Sequence, residues 1–217
     1  LPNIIAKRGL VWDQNPDFNK SILFVPTING VYAINPSNGE IIHDFGNDGS
    51  IGNQLSLIAP IVTKRSIIIA VTKPAVEAYD IKSGKLLWSR SLIEKEKEKI
   101  LTGTVPWGGM SFDTLRKKIY VVTGNPRPEL VGINRHGPNK HSNSLVAINS
   151  ENGQIEWSFQ ETPHDLWDFD IPSPPILATI TKSGRDIDIV AVVTKVGNTI
   201  VLERDNGNPI YDLDYKL

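Results

Sequence analysis

The sequence predicts an all-β chain that forms about four blades of a β-propeller. Three observations predict this fold class. A strand-turn-strand pattern occurs four times along the 217 residues, apolar runs typical of buried strands separate the repeats, and helical periodicity is scarce. Since 40% of the residues are hydrophobic, the chain has enough apolar surface for a sizeable core.

Each repeat has an apolar strand, a polar turn that ends in Asn-Gly or Ser-Gly, and a second strand. The turn glycines are Gly39, Gly84, Gly153 and Gly207, at intervals of about 45 to 70 residues. A period near 45 residues with insertions is typical of propeller blades, which contain four strands each. Glycine accepts the positive φ that a tight turn requires, so each repeat predicts a hairpin.

Two nearly pure apolar runs, 67–71 and 189–193, lie between the repeats. Such runs predict inner strands that are buried on both faces. The second strand of a repeat tends to carry a tryptophan, as at Trp88 and Trp157. We expect these large aromatic side chains to fill the space between neighbouring blades.

The sequence predicts one domain, a partial β-propeller over residues 1–217, because linkers are scarce. The Pro- and Gly-rich stretch 125–138 is interpreted as a loop inserted within a blade.

Composition excludes several function classes. The chain has no cysteine, which excludes disulfides, thiolate nucleophiles and zinc sites built on sulfur. The net charge is −1 and basic residues are not clustered, so no nucleic-acid partner is expected. No apolar stretch approaches the roughly 18 residues of a membrane helix, and no transmembrane segment is predicted in this chain.

Five separated motifs carry a family resemblance. They are RGLVW from Arg8, DFGNDGSI from Asp44, TGNPRP from Thr123, TPHDLWDFDIPSPP from Thr162 and KVGNTIVLERDNG from Lys195. Together they resemble the PQQ-dependent (quinoprotein) alcohol and glucose dehydrogenases, above all the membrane-bound glucose dehydrogenase type. The resemblance implies a propeller of the quinoprotein dehydrogenase type, with this chain as half of an eight-bladed ring.

Pyrroloquinoline quinone (PQQ) is a flat o-quinone with carboxylates, so its site needs an aromatic face, cations and a metal ion. The resemblance implies that Trp107 stacks on the quinone, with Gly108 and Gly109 leaving room for it. It also implies that Arg8 and Lys195 bind oxygens of PQQ. Without the family resemblance, Trp107 is interpretable as a core-packing residue, and Arg8 and Lys195 as ordinary surface residues.

Two further positions match the metal and catalytic residues of the family. Asn125 matches a Ca²⁺ ligand, and an amide oxygen suits this hard cation. Asp168 matches the catalytic aspartate, which would take the proton from the substrate hydroxyl and also bind the metal. Asp165 and Asp170 lie close by in the sequence, without an assigned role. Without the family, Asn125 and Asp168 are also interpretable as turn residues.

The resulting prediction is a PQQ- and Ca²⁺-dependent oxidoreductase segment that acts on CH–OH donors once the ring is complete. It would oxidise an alcohol, polyol or aldose by hydride transfer to the quinone, and a quinone or cytochrome would accept the electrons. The resemblance implies a periplasmic location and leaves association with the membrane open.

The alternative is a non-enzymatic, quinoprotein-like propeller scaffold that binds protein partners. Many relatives carry an acidic Ca²⁺ ligand in the loop that corresponds to 71–74, where this chain has no acid. The size of the chain leaves three possibilities open. It is part of a longer protein, it pairs with a second copy or another subunit to complete the propeller, or it closes as a small ring.

Overall fold

The computed structural model describes residues 8–15, 20–54, 56, 58–93 and 102–212. The regular secondary structure of these residues consists of β-strands alone, and the 17 strands form five antiparallel sheets. This confirms the predicted all-β class. The described part contains no helix with the length and apolarity to cross a membrane. The chain divides between residues 91 and 92 into two units.

The first unit holds two four-stranded sheets in which each strand pairs with the next along the chain. The first sheet contains β1 (Val11–Asn15), β2 (Lys20–Thr27), β3 (Gly30–Ile34) and β4 (Ser50–Ile51). The second contains β5 (Ile61–Val62), β6 (Ser66–Val71), β7 (Ala75–Asp80) and β8 (Leu86–Ser91). A core cluster that includes Phe24, Phe45, Ile67 and Tyr79 joins the two sheets. This up-and-down order is the one expected of propeller blades.

The second unit holds a four-stranded sheet, a three-stranded sheet and a two-stranded ribbon. The four-stranded sheet contains β10 (Met110–Asp113), β11 (Lys118–Val122), β13 (Ser144–Asn149) and β14 (Ile155–Gln160). The three-stranded sheet contains β15 (Ile176–Lys182), β16 (Arg185–Val193) and β17 (Thr199–Glu203). The ribbon pairs β9 (Thr102–Gly103) with β12 (Pro126–Arg127). Loop 125–138 contains β12 and lies between β11 and β13 of one sheet, as predicted.

The first strand of each predicted repeat is the third strand of a sheet, and the turn that follows it has the same geometry in all four repeats. The turn glycine donates its N–H to the carbonyl four residues earlier, in the pairs Gly39 to Asn35, Gly84 to Asp80, Gly153 to Asn149 and Gly207 to Glu203. Only the glycine of each turn has a positive φ. The turn is followed by a full fourth strand at β8 and β14. In the described residues of the first and last repeats, a single bridge follows the turn, Ile34 to Ile41 and Leu202 to Pro209, and β4 pairs with β3 beyond the end of the first repeat.

The two apolar runs differ in burial. Strand β6, which contains run 67–71, is buried along its whole length, as predicted. Run 189–193 in β16 is not, since Val193 is 52% exposed. The prediction of burial on both faces is therefore wrong for this run. Val190 and Val192, on one face, pack into the core cluster of the second unit. On the other face Ile189 is buried, whereas the end of the run at Val193 is exposed.

Charged and aromatic side chains hold the two large sheets of the second unit together. Trp157 of β14 packs into the same core cluster and donates from Nε1 to the carbonyl of Arg204 at 3.2 Å. This confirms its predicted place between sheets. Arg116, in the turn after β10, binds Asp188 at 2.8 Å and Asp205 at 2.7 Å. Arg204 in turn binds Asp113 at 2.8 Å.

Gly84 and Gly39 give a matched test of the repeated turn. Both have positive φ, so alanine at either position costs about 1–2 kcal/mol of backbone strain. A Cβ at Gly84 would also lie 2.4 Å from Cα of Gly46, whereas nothing lies within 4 Å of one at Gly39. We expect Gly84→Ala to lower the melting temperature clearly more than Gly39→Ala, measured by circular dichroism. Equal losses would contradict this packing.

Candidate functional site

Trp107 lies in the segment between β9 and β10, with its indole beside the end of β11. The ring is half-buried, and Nε1 donates to Oδ1 of Asp170 at 3.4 Å. The ammonium of Lys195 lies 5.9 Å from the ring centroid, within the range of a cation–π contact. A Cβ at Gly124 would lie 2.7 Å from Nε1, so the close approach of the segment after β11 to the indole requires glycine. Trp107 therefore belongs to a polar cluster and not to the apolar core.

Asp170 connects the members of this cluster. Its side chain is only 6% exposed. Oδ1 accepts the backbone N–H of Asn125 at 2.6 Å as well as the indole N–H. Oδ2 accepts from Nζ of Lys195 at 2.6 Å, and the backbone N–H of Lys195 donates to the carbonyl of Asp170 at 3.3 Å. One buried carboxylate thus joins three chain segments that are far apart in the sequence.

Asp168 lies on the open side of the cluster. Its carboxylate is 48% exposed and accepts from Nζ of Lys195 at 3.0 Å. The residue has a φ of +66°, a conformation that costs free energy for any residue except glycine. The turn at this point presents one carboxylate to solvent while Asp170, two residues later, lies inside. The ammonium of Lys195 therefore bridges an open and a buried carboxylate.

The two carboxylates differ in electrostatics. Burial raises the pKa of Asp170, and the hydrogen bonds from Lys195 and Asn125 offset only part of this effect. Burial also acts on Asp168, but hydrogen bonds with Lys195 and Asp170 and the charge of Lys195 outweigh it and lower its pKa. For Lys195, burial is outweighed by the two acids, which raise its pKa. Asp168 is therefore the acid that ionises first.

Asn125 is 7% exposed and has an unsatisfied side-chain amide. Its backbone N–H binds Asp170, and its carbonyl accepts from the N–H of Thr104 at 2.9 Å. In the described part of the chain, its Nδ2 has no hydrogen-bond partner. An unpaired buried amide group is costly, which marks this side chain as a candidate ligand-binding group.

The remaining predicted residues are placed differently. A Cβ at Gly108 would lie 2.4 Å from the carbonyl oxygen of Ile171, and one at Gly109 would lie 2.5 Å from Cβ of Pro174. Both glycines thus make room for the chain's own segment 171–174, and their place in a cofactor site stays a prediction. Arg8 belongs to the first unit, whereas the other predicted site residues belong to the second. Its role also stays a prediction.

Sequence reasoning gave no role to Asp165 and Asp170, although both flank Asp168. Asp165 is fully buried and accepts the backbone N–H groups of Trp167 and Phe169, each at 2.8 Å. It fixes the loop that carries Asp168. No signal in the sequence separates Asp170 from its neighbours, because three acids lie within 165–170 and only the fold decides which partners each of them meets.

Lys195→Met tests the charge balance of the cluster. Without the cation, the ionised form of both carboxyls loses stabilisation, so their folded-state pKa values rise. The variant should lose about 3 kcal/mol of unfolding free energy near neutral pH. The unfolded carboxyls are the same in both proteins, so the loss should shrink as pH falls from the raised folded-state pKa values of the variant through the lower ones of the wild type. Urea denaturation at several pH values measures it.

Lys117→Met is the control, because Lys117 forms an exposed pair with Glu151 at 2.7 Å. It should change unfolding free energy by at most about 1 kcal/mol. A pH-independent loss in Lys195→Met, or an equal loss in the control, would contradict the proposed balance.

Comparison with known proteins identifies what the chain is similar to. The family model described as "PQQ: Glucose/ethanol/alcohol dehydrogenase, beta-propeller domain" matches residues 2–216. Quinoprotein glucose dehydrogenase A of Acinetobacter calcoaceticus is 33% identical over 89% of this chain. Quinoprotein glucose dehydrogenase of Escherichia coli strain K12 is 29% identical over 85% of it. The chain spans only 28% and 27% of the lengths of these two relatives.

Solved structures agree with the sequence matches. The quinohemoprotein alcohol dehydrogenase from Comamonas testosteroni superposes with a TM-score of 0.77 at 25% sequence identity. The superposition covers 95% of this chain and 35% of that one. The four large sheets described above therefore correspond to part of a larger β-propeller.

Proposed function

Because this chain belongs to the PQQ glucose/ethanol/alcohol dehydrogenase β-propeller family, we propose that it is the cofactor-binding part of an oxidoreductase. Family membership confirms the resemblance and the quinoprotein-type propeller fold inferred from the motifs. The observation that carries the functional proposal is the cluster of Trp107, Lys195, Asp168 and Asp170, in which an indole, a cation and two carboxylates meet.

The residues of this cluster fit PQQ. A planar anion stacked on the half-buried indole of Trp107 would lie within reach of the Lys195 ammonium, which is 5.9 Å from the ring centroid. Aromatic stacking and a nearby cation are the two interactions that a flat polycarboxylate requires. We propose that Trp107 and Lys195 hold the cofactor, with Arg8, Gly108 and Gly109 as further contacts.

We propose Asn125 and Asp168 as the protein ligands of Ca²⁺. Both offer side-chain oxygen atoms, which this hard cation prefers. Calcium takes about six to eight oxygen ligands, and the described residues hold no group of three or more acids or histidines arranged for a metal. Asn125 and Asp168 would therefore supply only part of this shell. When bound, the metal polarises the adjacent carbonyl.

The chain's own chemistry centres on Asp168. Its lowered pKa keeps the carboxylate ionised at neutral pH, and its exposure lets a substrate hydroxyl approach. One carboxylate oxygen of Asp168 accepts the hydroxyl proton while Lys195 binds Oδ2 and fixes its direction. PQQ, when bound, would supply the acceptor for the hydride on the carbon that bears this hydroxyl. The substrate would then lose a proton and a hydride, which is a two-electron oxidation, and become a carbonyl compound.

The names of the relatives support the wider proposal. Glucose, glycerol and alcohol dehydrogenases occur among them, which supports an alcohol, polyol or aldose as substrate. We propose a quinone or cytochrome as electron acceptor and a periplasmic location. Residues 1–217 would act as a single partial propeller domain, completed by further residues of a longer protein or by a second copy or subunit.

A scaffold without catalysis is the second candidate. Turn 72–74 connects β6 directly to β7 and contains Thr72, Lys73 and Pro74 but no acid. A relative's acidic Ca²⁺ ligand has no counterpart there, which favours a scaffold that has lost the metal. Titration with PQQ distinguishes the two candidates, because a scaffold without a cofactor site is not expected to bind PQQ.

Trp107→Phe tests the stacking proposal. PQQ added with Ca²⁺ should quench tryptophan fluorescence of the wild type, because a quinone stacked on an indole deactivates its excited state. Trp107→Phe should lose most of this quench. Trp12→Phe, at a residue that is 58% exposed in the first unit, should keep it. Absence of a quench in the wild type would favour the scaffold.

Asp168→Asn tests the catalytic proposal. The variant keeps the shape of the side chain but loses the base, so dye-linked oxidation of glucose and short alcohols should fall about 10²- to 10⁴-fold. Its PQQ affinity should change far less than its rate. Asp186→Asn, at an exposed aspartate that binds Thr181, is the control and should keep full activity. Equal losses of rate in both variants would contradict the role of Asp168.

A further inference from the structure

A polar row extends the four-stranded sheet of the second unit beyond the ends of β11, β13 and β14. The N–H of Asn143 donates to the carbonyl of Gly124, and the N–H of Glu161 donates to that of Asn143, both at 3.0 Å. Side chains alternate between faces along a strand. Phe159, two residues before Glu161, belongs to the core cluster against β15–β17. Glu161 therefore lies on the same face as that cluster.

Glu161 is a buried carboxyl with two specific partners. It is 4% exposed, and its Oε1 accepts from Oγ1 of Thr194 at 2.8 Å and from Nδ2 of Asn198 at 2.9 Å. These partners are the two ends of the turn that joins β16 to β17. The turn is closed by the N–H of Thr194 donating to the carbonyl of Asn198 at 3.1 Å. Glu161 thus holds both ends of this turn from the neighbouring sheet.

Lys195 is the second residue of the same turn. Its side chain reaches Asp168 and Asp170, and its backbone N–H donates to the carbonyl of Asp170. The turn therefore has two attachments, Asp170 on the side of the cluster and Glu161 on the side of the sheet. We propose that Glu161 is a positioning residue that fixes the Lys195 turn. Its effect on cofactor binding rests on the function proposed above.

Energetics supports a positioning role. Burial raises the pKa of Glu161, and the hydrogen bonds from Asn198 and Thr194 offset this only in part. In the described part of the chain, Oε2 has no hydrogen-bond partner. An apolar side chain would avoid this desolvation cost. The carboxyl therefore serves to hold the turn in place more than to stabilise the fold. Asn143 acts in the same way on the other side, since its Nδ2 binds Asp165 and the carbonyl of Phe169.

Amide hydrogen exchange of the cofactor-free protein tests this role directly. Glu161→Met removes both hydrogen bonds to the turn, so the amides of Lys195 and Asn198 should exchange at least about tenfold faster. Glu161→Gln keeps an oxygen that accepts both bonds and should restore slow exchange. Glu156→Met is the matched control. It makes the same change within β14, five residues before Glu161, at a residue paired with Lys118 at 2.9 Å, and it should leave both amides unchanged.

Titration with PQQ and Ca²⁺, followed by tryptophan fluorescence, gives the second measurement. Glu161→Met should weaken PQQ binding about tenfold, as loss of a supporting partner does at other sites, whereas Glu161→Gln and Glu156→Met should bind normally. Unchanged exchange at Lys195 in Glu161→Met would overturn the positioning role. A wild type that fails to bind PQQ would instead overturn the proposed function, and exchange would still decide the role of Glu161.

Thr194→Val tests the same contact from the other side and serves if Glu161→Met fails to fold. It removes the hydroxyl that binds Glu161, so the Lys195 amide should again exchange faster, whereas Thr194→Ser keeps the hydroxyl and should not change it. Because the two residues touch, the double variant with Glu161→Met should show less than the sum of the single effects. Wild-type exchange at Lys195 in Thr194→Val would overturn the proposal.

Discussion

The ammonium of Lys195, held between the carboxylates of Asp168 and Asp170, is the interaction on which the candidate site depends. Asp170 is buried, and an ionised carboxylate at such a position requires a cation and hydrogen-bond donors close by. Lys195 and the backbone N–H of Asn125 supply them at 2.6 Å. The same cation then has a second contact left for Asp168, at 3.0 Å. Because buried Asp170 holds the Lys195 ammonium in place, the same ammonium also fixes the carboxylate of the exposed Asp168.

The connections between strands of the second unit bring the polar groups of the candidate site together. Segments 104–109, 124–125, 165–170 and 194–198 are connections or strand ends of two neighbouring sheets. Propeller strands run up and down, so alternate connections lie at the same end of every blade. The core between the sheets fixes their spacing, while the loops at that end carry the polar groups. The apolar core therefore stabilises the fold, whereas the loops carry the polar groups of the candidate site.

Conformational cost is concentrated around the site. Asp168 has a positive φ, Gly124 approaches the indole so closely that a Cβ would overlap it, and Asn125 leaves a buried Nδ2 unpaired. Glu161 adds a desolvated carboxyl on the sheet side. Each feature is unfavourable for folding by itself, and such features persist where the surrounding structure fixes them. Their proximity around one cation is what supports a binding site over an ordinary surface loop.

The sequence by itself determined the all-β class, the four turns and the inserted loop, because turn glycines and strand periodicity are local signals. The family resemblance also named Trp107, Asn125, Asp168 and Lys195, and the family match agrees with that resemblance. Only the tertiary structure decided that Asp170 joins these residues, that Gly108 and Gly109 pack against segment 171–174, and that Glu161 holds the turn of Lys195. These contacts link residues far apart in the sequence. They depend on how one sheet packs on the next, which no local pattern encodes.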